Sequence, residues 1–228
     1  MTSSSNAASS QGADQDLPPL QILIVQVSAF QQNCSILWDP RTMVGAVVDP
    51  GGDVPLLLEA IRENGVKVEK IVITHGHIDH VGGAADLAAE LGVPVEGPHE
   101  ADRMLLKRVS DQARQFGLPD VKTVEPDRWL EDGDTMEMAG RSFDVLHCPG
   151  HAPGHVVFFD PELRLAISGD VLFKGSVGRT DLPGGDHATL IRSIRDKLLP
   201  LGDDVSFLPG HGPASTLGEE RRTNPFLV

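Results

Sequence analysis

The feature that most constrains this 228-residue chain is a run of four metal-binding side chains in six positions, His75-Gly76-His77-Ile78-Asp79-His80. It follows directly on the apolar segment Val68–Thr74, which reads as a strand. Imidazole and carboxylate are good ligands for zinc and iron. In an extended or turning segment, residues two apart project to the same side, so His75 and His77 can chelate one ion. Asp79 and His80, at the start of the helix that follows, point elsewhere and can serve a second. Two more clusters repeat the arrangement: His147-Cys148-Pro149-Gly150-His151-Ala152-Pro153-Gly154-His155 and Pro209-Gly210-His211-Gly212. Each lies in a Gly- or Pro-rich turn just after an expected strand, where a rigid scaffold presents reactive groups. Gly76, Gly82 and Gly83 would let backbone approach such a site closely.

The rest of the pattern mixes strands and helices. Strands are expected over Gln21–Ser28, Cys34–Trp38, Met43–Val48, Ser142–His147, His155–Asp160, Leu163–Ser168 and Val205–Leu208. A helix should start at the N-cap Asp53, with Pro55 in its first turn, and end near Gly65. Further helices are expected over His80–Leu91, closed by Gly92, over 99–116, and over Asp186–Leu199, stopped by Pro200. Hairpin-like pairs beside strand–helix crossovers imply two sheets, or one large mixed sheet, covered by helices. Residues 1–19 carry almost no apolar content and are expected to be a disordered tail, with one domain over residues 20–228. That tail has neither a basic start nor an apolar stretch, and the first arginine is Arg41, so cytoplasm is the expected location.

Charge removes whole classes of function. Lys and Arg number 19 against 33 Asp and Glu, a formal net charge of −14, which disfavours a nucleic-acid partner held by a broad basic surface. No apolar run approaches the ~18 residues of a membrane span. Two cysteines, Cys34 and Cys148, make no disulfide framework and read as reduced thiols, Cys148 as a small buried residue. A monomer is expected, because no long apolar surface helix is evident.

His75-Gly76-His77-Ile78-Asp79-His80 resembles the H-x-H-x-D-H signature of the metallo-β-lactamase superfamily. His151, Asp170 in Ser168-Gly169-Asp170-Val171, and His211 match its later motifs in order. Asn33-Cys34, Asp49-Pro50-Gly51-Gly52, Gly178-Arg179-Thr180-Asp181 and Asn224-Pro225-Phe226-Leu227 look like its short glyoxalase-II-like hydrolases. The resemblance covers roughly residues 20–228. It implies an α/β fold, an αβ/βα four-layer sandwich of two mixed sheets with outer helices. It also implies two divalent metal ions, zinc first, with iron or manganese as alternatives. One metal would take His75, His77 and His151; the other would take Asp79, His80 and His211; Asp170 would bridge them. The implied reaction is attack of a metal-bridging hydroxide on the thioester of S-lactoylglutathione or a related acylglutathione, with Asp79 and Asp170 positioning metal and nucleophile. Glutathione carries two carboxylates, so a local cationic patch is needed: Arg179 first, then Lys174, Arg221 and Arg222.

Two departures stand out. Only a short segment follows His211, so the helical C-terminal domain of long glyoxalase II enzymes is not expected. The sequence also contains no tyrosine, which removes a side chain that some relatives use for substrate. Persulfide dioxygenases of the same superfamily keep the seven ligand-type residues but use one iron, here on His75, His151 and Asp170. β-Lactamases generally lack an aspartate at the position of Asp170. Among the other histidines, His155 is placed to hydrogen-bond behind the site. His99, His147 and His187 read as structural or exposed.

Overall fold

The computed structural model describes residues 18–118 and 121–228, so the expected tail lies almost wholly outside the described residues. Strands β1 (Gln21–Val27), β2 (Gln32–Trp38) and β3 (Val44–Val48) form an antiparallel meander. Helix α1 (Val54–Glu63) then crosses over, as a parallel neighbour requires, and β4 (Lys67–Val72) pairs with β3. After α2 (Ile78–Val81) and α3 (Ala84–Leu91), the two-residue β5 (Val95–Glu96) completes a sheet ordered β1-β2-β3-β4-β5. Helices α4 (Arg103–Lys107) and α5 (Val109–Gln115) lead towards the second sheet. There β6 (Thr135–Met138), β7 (Arg141–His147), β8 (Val156–Asp160) and β9 (Leu165–Gly169) run antiparallel. A small hairpin, β10 (Leu172–Phe173) and β11 (Ser176–Val177), and helix α6 (His187–Ser193) precede β12 (Ser206–Pro209) and β13 (Ser215–Thr216). The second sheet is ordered β13-β12-β9-β8-β7-β6, and α7 (Leu217–Thr223) follows it.

Alternation along the strands sorts the core into three apolar layers. Leu37, Ala46, Val48 and Val72 of the first sheet face Phe143, Val145, Val156, Phe158 and Ile167 of the second. Their neighbours Ile36, Val47 and Ile71 point the other way and pack under Leu57 and Ile61 of α1 and Leu87 of α3. Val157, Phe159, Ala166 and Phe207 pack against Leu190 and the following Ile194 and Leu198. The result is helix, sheet, sheet, helix: the four-layer α/β sandwich implied by the resemblance. Phe158 is fully buried between the sheets. Phe158→Ala should therefore cost about 3–5 kcal/mol in urea unfolding. Met104→Ala, at an exposed side chain, should stay within about 0.5 kcal/mol.

Several local expectations need correction. The helix expected over His80–Leu91 starts two residues earlier and divides at Gly82-Gly83 into α2 and α3. The division follows from close packing: an added Cβ would sit 2.7 Å from the Gly51 carbonyl oxygen at Gly82, and 2.8 Å from that of Pro50 at Gly83. The helix expected over 99–116 is three pieces, a 3-10 turn at Glu100–Asp102, then α4 and α5. Asp53 stands at the start of α1 but with φ 46°, and its carboxylate accepts from the Ser28 amide at 2.7 Å instead of capping the helix. Helix α7 was not expected, although its signal is present. Thr216 caps it by accepting from the Glu219 amide at 3.1 Å, the T-x-x-E pattern of a capping box.

The topology places several strand ends together. Strands β9 and β12 are parallel neighbours, so both end at one edge. The start of β8, antiparallel to β9, lies at that same edge. The Val156 amide donates to the Thr74 carbonyl at 2.9 Å, joining the second sheet to the continuation of β4.

Candidate metal centre

Seven side chains converge at this edge. His75 and His77 extend from the end of β4, and His77 keeps an extended backbone (φ −79°, ψ 150°) immediately before α2. Asp79 and His80 lie in the first turn of α2. His151 comes from the β7–β8 loop, Asp170 from the end of β9, and His211 from the end of β12. The ligand atoms of His75, His77 and His151 lie within 4.8 Å of one another, as do those of Asp79, His80 and His211. In the first group, His151 Nε2 is 3.2 Å from His75 Nε2 and 2.9 Å from His77 Nδ1. In the second, His211 Nε2 is 3.1 Å from Asp79 Oδ2. Asp170 stands between them: Oδ1 is 3.3 Å from His80 Nε2, while Oδ2 is 3.6 Å from His151 Nε2 and 3.7 Å from His211 Nε2.

The hydrogen-bond partners assign the tautomers. His151 Nδ1–H donates to the Arg179 carbonyl at 2.7 Å, leaving Nε2 bare. His80 Nδ1–H donates to Asp49 Oδ2 at 2.8 Å. Thr74 Oγ1 donates to Asp49 Oδ2 at 2.6 Å and accepts from His75 Nδ1–H at 3.0 Å, so His75 Nε2 is bare as well. Asp49 also forms a ligand-like group with His75 and His80. Its oxygens, however, are already taken by His80 and by the hydroxyl and amide of Thr74. Asp49 therefore orients the ligands from behind.

Converging bare imidazole nitrogens repel one another unless a cation lies between them. Among the described residues, His77 Nε2 is also buried without a hydrogen-bond partner, and His80 Nε2 and Asp170 Oδ1 have only each other, at 3.3 Å. Such orphaned atoms cost free energy unless something else satisfies them. A divalent metal fits both observations and this donor set.

Electrostatics divide the two groups. Burial, then the neighbouring imidazoles, holds His75 and His151 below the ordinary histidine range and His77 down to about 3. These rings are neutral and ready to ligate. For His80 burial acts in the same direction, but Asp170, Asp79 and Asp49 outweigh it and raise it well above that range. His211 is raised too, its burial offset by Asp79 and Asp170. Burial would raise both carboxyls, yet the surrounding imidazoles hold Asp79 and Asp170 below the usual carboxylate range.

A cavity of about 380 Å³ opens over these groups. Phe30 and Phe116 form part of its wall, edge to face at 5.3 Å, with Phe173 and Val177 further along. Arg179 is the one Lys or Arg among the described residues that line it, and residues 1–17, 119 and 120 contain no Lys or Arg. Its guanidinium is paired with Asp181 by two contacts of 2.7 Å. Lys174 is exposed and does not line the cavity. Arg221 and Arg222 lie on α7, where Arg221 pairs with Asp203 and Arg222 with Glu219 and Asp203, and neither lines this cavity.

Asp49 and Thr74, which orient the ligands, and the three phenylalanines carry no sequence signal that marks them for the site. His155, expected behind the site, accepts through Nε2 from the Asp170 amide at 2.9 Å, and its ring stacks on His75. His99 and His147 stack on each other at 4.1 Å.

A family model described as the metallo-beta-lactamase superfamily matches residues 27–211. The chain is 46% identical over 209 residues to the hydroxyacylglutathione hydrolase GloC of Haemophilus influenzae, covering 91% of this chain and 98% of that protein. The structure of TTHA1623 in a di-iron-bound form is similar with a TM-score of 0.82 and 43% identity, over 90% of this chain and all of that one. The BLEG-1 B3 metallo-beta-lactamase is similar with a TM-score of 0.84 and 33% identity, over 91% of this chain and 99% of that one.

Proposed function

This chain belongs to the metallo-beta-lactamase superfamily, and we propose that within it the chain is a dinuclear metal-dependent hydrolase that cleaves the thioester of S-lactoylglutathione or a related acylglutathione. The observation that carries the reading is Asp170, whose carboxylate faces both ligand groups at 3.3, 3.6 and 3.7 Å. A carboxylate in that place would hold two metals together and offset their charge. His75, His77 and His151 would hold one metal; Asp79, His80 and His211 the other. Bound there, divalent metal lowers the pKa of water from ~15.7 towards ~7 and polarises a carbonyl oxygen. Zinc is the first choice, with iron or manganese as alternatives; iron is what the similar TTHA1623 structure holds.

The chain's own residues supply the rest. Asp79 and Asp170 stay ionised at neutral pH and orient water on the cavity floor. Phe30, Phe116 and Phe173 give the thioester an apolar wall. Arg179 offers a cation to one substrate carboxylate, since an exposed pair such as Arg179–Asp181 holds its partner weakly. Lys174 is the next cation along the chain. The leaving thiolate needs no protonation, because thiols have a pKa of ~8.5.

Cytoplasmic location and a monomeric state belong to the same proposal. Cys34 and Cys148 are buried free thiols, and among the described residues no helix is long and apolar enough to cross a membrane.

The test is metal content and S-lactoylglutathione hydrolysis on one purified sample, with a chromogenic β-lactam as control. Both metal groups filled, thioester cleavage, and loss of cleavage in His75→Ala are expected. About one iron per chain, no cleavage, and oxygen uptake with glutathione persulfide would overturn the reading in favour of a dioxygenase. β-Lactam turnover without thioester cleavage would overturn it in favour of a lactamase.

A further inference from the structure

We propose that Asp102 is a positioning residue that locks the His75–His77 segment to the His151 loop, building one of the two metal-binding groups without touching a ligand. The inference rests on the two-metal reading above and adds to it a residue outside the centre.

Asp102 is fully buried in the 3-10 turn before α4. Its two carboxylate oxygens are divided between two distant loops. Oδ2 accepts from the Gly76 amide at 2.8 Å, and Oδ1 accepts from the Gly154 amide at 2.5 Å. Gly76 is the residue between His75 and His77. Gly154 belongs to the loop that carries His151 and His155. The three ligands of one group, on segments separated by more than seventy residues, are thus tied to a single side chain. Asp102 makes no such bond to the segments bearing Asp170 or His211.

The surroundings are shaped for this contact. A Cβ added at Gly154 would lie 2.8 Å from Asp102 Cγ and 2.6 Å from the Asp102 amide nitrogen. At Gly76 it would lie 2.9 Å from Leu105 Cβ. Glycine at both places lets backbone reach the carboxylate directly. The bond from the Val156 amide to the Thr74 carbonyl, at 2.9 Å, joins the same two segments on the sheet side. Asp102 ties them again two residues along each segment, so His75 lies between the two ties, while His77 and His151 lie one and three residues beyond the second. Burial pushes the Asp102 carboxyl up to about 6, while the two amides draw it down. A buried carboxylate kept against such a penalty needs its acceptor role.

Asparagine has nearly the same shape but replaces one acceptor with an NH₂ donor. One amide of the pair would then face a donor and lose its partner. Metal affinity of the His75/His77/His151 group should fall about 10–100-fold, the usual effect of losing a group that orients ligands. Affinity of the other group should change less than about threefold by the same reasoning.

The experiment is competitive Zn²⁺ titration of metal-freed wild type and Asp102→Asn with a chromophoric chelator. His77→Ala identifies which phase belongs to which group, and thermal unfolding of the metal-free proteins runs alongside. Selective weakening of the phase lost in His77→Ala supports the proposal. Equal weakening of both phases with a lowered unfolding temperature, or no change in either, overturns it. Should Asp102→Asn fail to fold, Asp102→Ser is titrated with the same criteria, since the smaller side chain leaves room for water to reach both amides. Failure of the two-metal reading would show separately, as a single phase or none in wild type, and would overturn both.

Discussion

Asp170→Asn is expected to lower kcat for S-lactoylglutathione about 10³-fold while the protein remains folded. Charge and position both support the size of the effect. The carboxylate is buried and faces His80, His151 and His211, each within 3.7 Å. An amide of the same shape keeps one oxygen but loses the negative charge that would hold two cations together. Electrostatic stabilisation by metal is worth several kcal/mol, and about 4 kcal/mol corresponds to about 10³ in rate. The fold should tolerate the change, because the Asp170 backbone amide still donates to His155 Nε2. Removing a buried charge also removes its desolvation penalty. The check is kcat, metal content and circular dichroism on one preparation. Activity within about tenfold of wild type, with both metals retained, would remove Asp170 from the chemistry, since tenfold is only about 1.4 kcal/mol.

How much of this was legible in the sequence depends on the distance over which each residue acts. His75, His77, Asp79 and His80 are local to one strand end, and their spacing alone separates two chelating pairs. His211 carries only a weak signal, one histidine in a Gly- and Pro-rich turn, and Asp170 carries none. Single residues after β9 and β12, they acquired ligand roles only through the family resemblance, and the parallel pairing of those strands explains their meeting. The residues that orient the ligands were hidden. Asp49 reads as the first residue of a turn, yet it reaches Thr74 across 25 positions and His80 across 31. Asp102 reads as part of a helix and reaches Gly154 across 52. Strands such as β3, β8 and β9 were legible as short apolar runs buried on both faces, but the four layers came from the resemblance, because such runs do not say which sheet they join. The two-residue strands β5, β10, β11 and β13 were not legible, being too short for any period. The break between α2 and α3 was also hidden, because it is imposed by the 50–51 backbone pressing on Gly82 and Gly83 rather than by local propensity.

Metal uptake should release protons from one group and not from the other. In metal-free protein His80 is held well above the ordinary histidine value of 6.5 by Asp170, Asp79 and Asp49, despite its burial. His211 is raised too. Both are therefore protonated wherever pH lies below their native values, and a metal entering beside Asp79 must displace those protons. His75, His77 and His151 are already neutral at pH 7, so a metal entering there displaces none. Below the native values of His80 and His211, affinity of the Asp79/His80/His211 group should fall about tenfold for each unit that pH is lowered and each proton displaced, while the imidazole group stays nearly flat between about pH 6 and 8. The same shifts set the stability of the metal-free protein. The contribution of His80 is fully present below 6.5 and is lost as pH rises through its higher native value. The contributions of Asp79 and Asp170 are present above 3.8, their unfolded value, and are lost as pH falls through their lower native values. Zn²⁺ titrations at three pH values, on His77→Ala to isolate the carboxylate-rich group and on His211→Ala to weaken it, separate the slopes. Equal slopes in the two variants would mean that His80 is neutral before metal arrives, and that the three carboxylates around it do not set its charge.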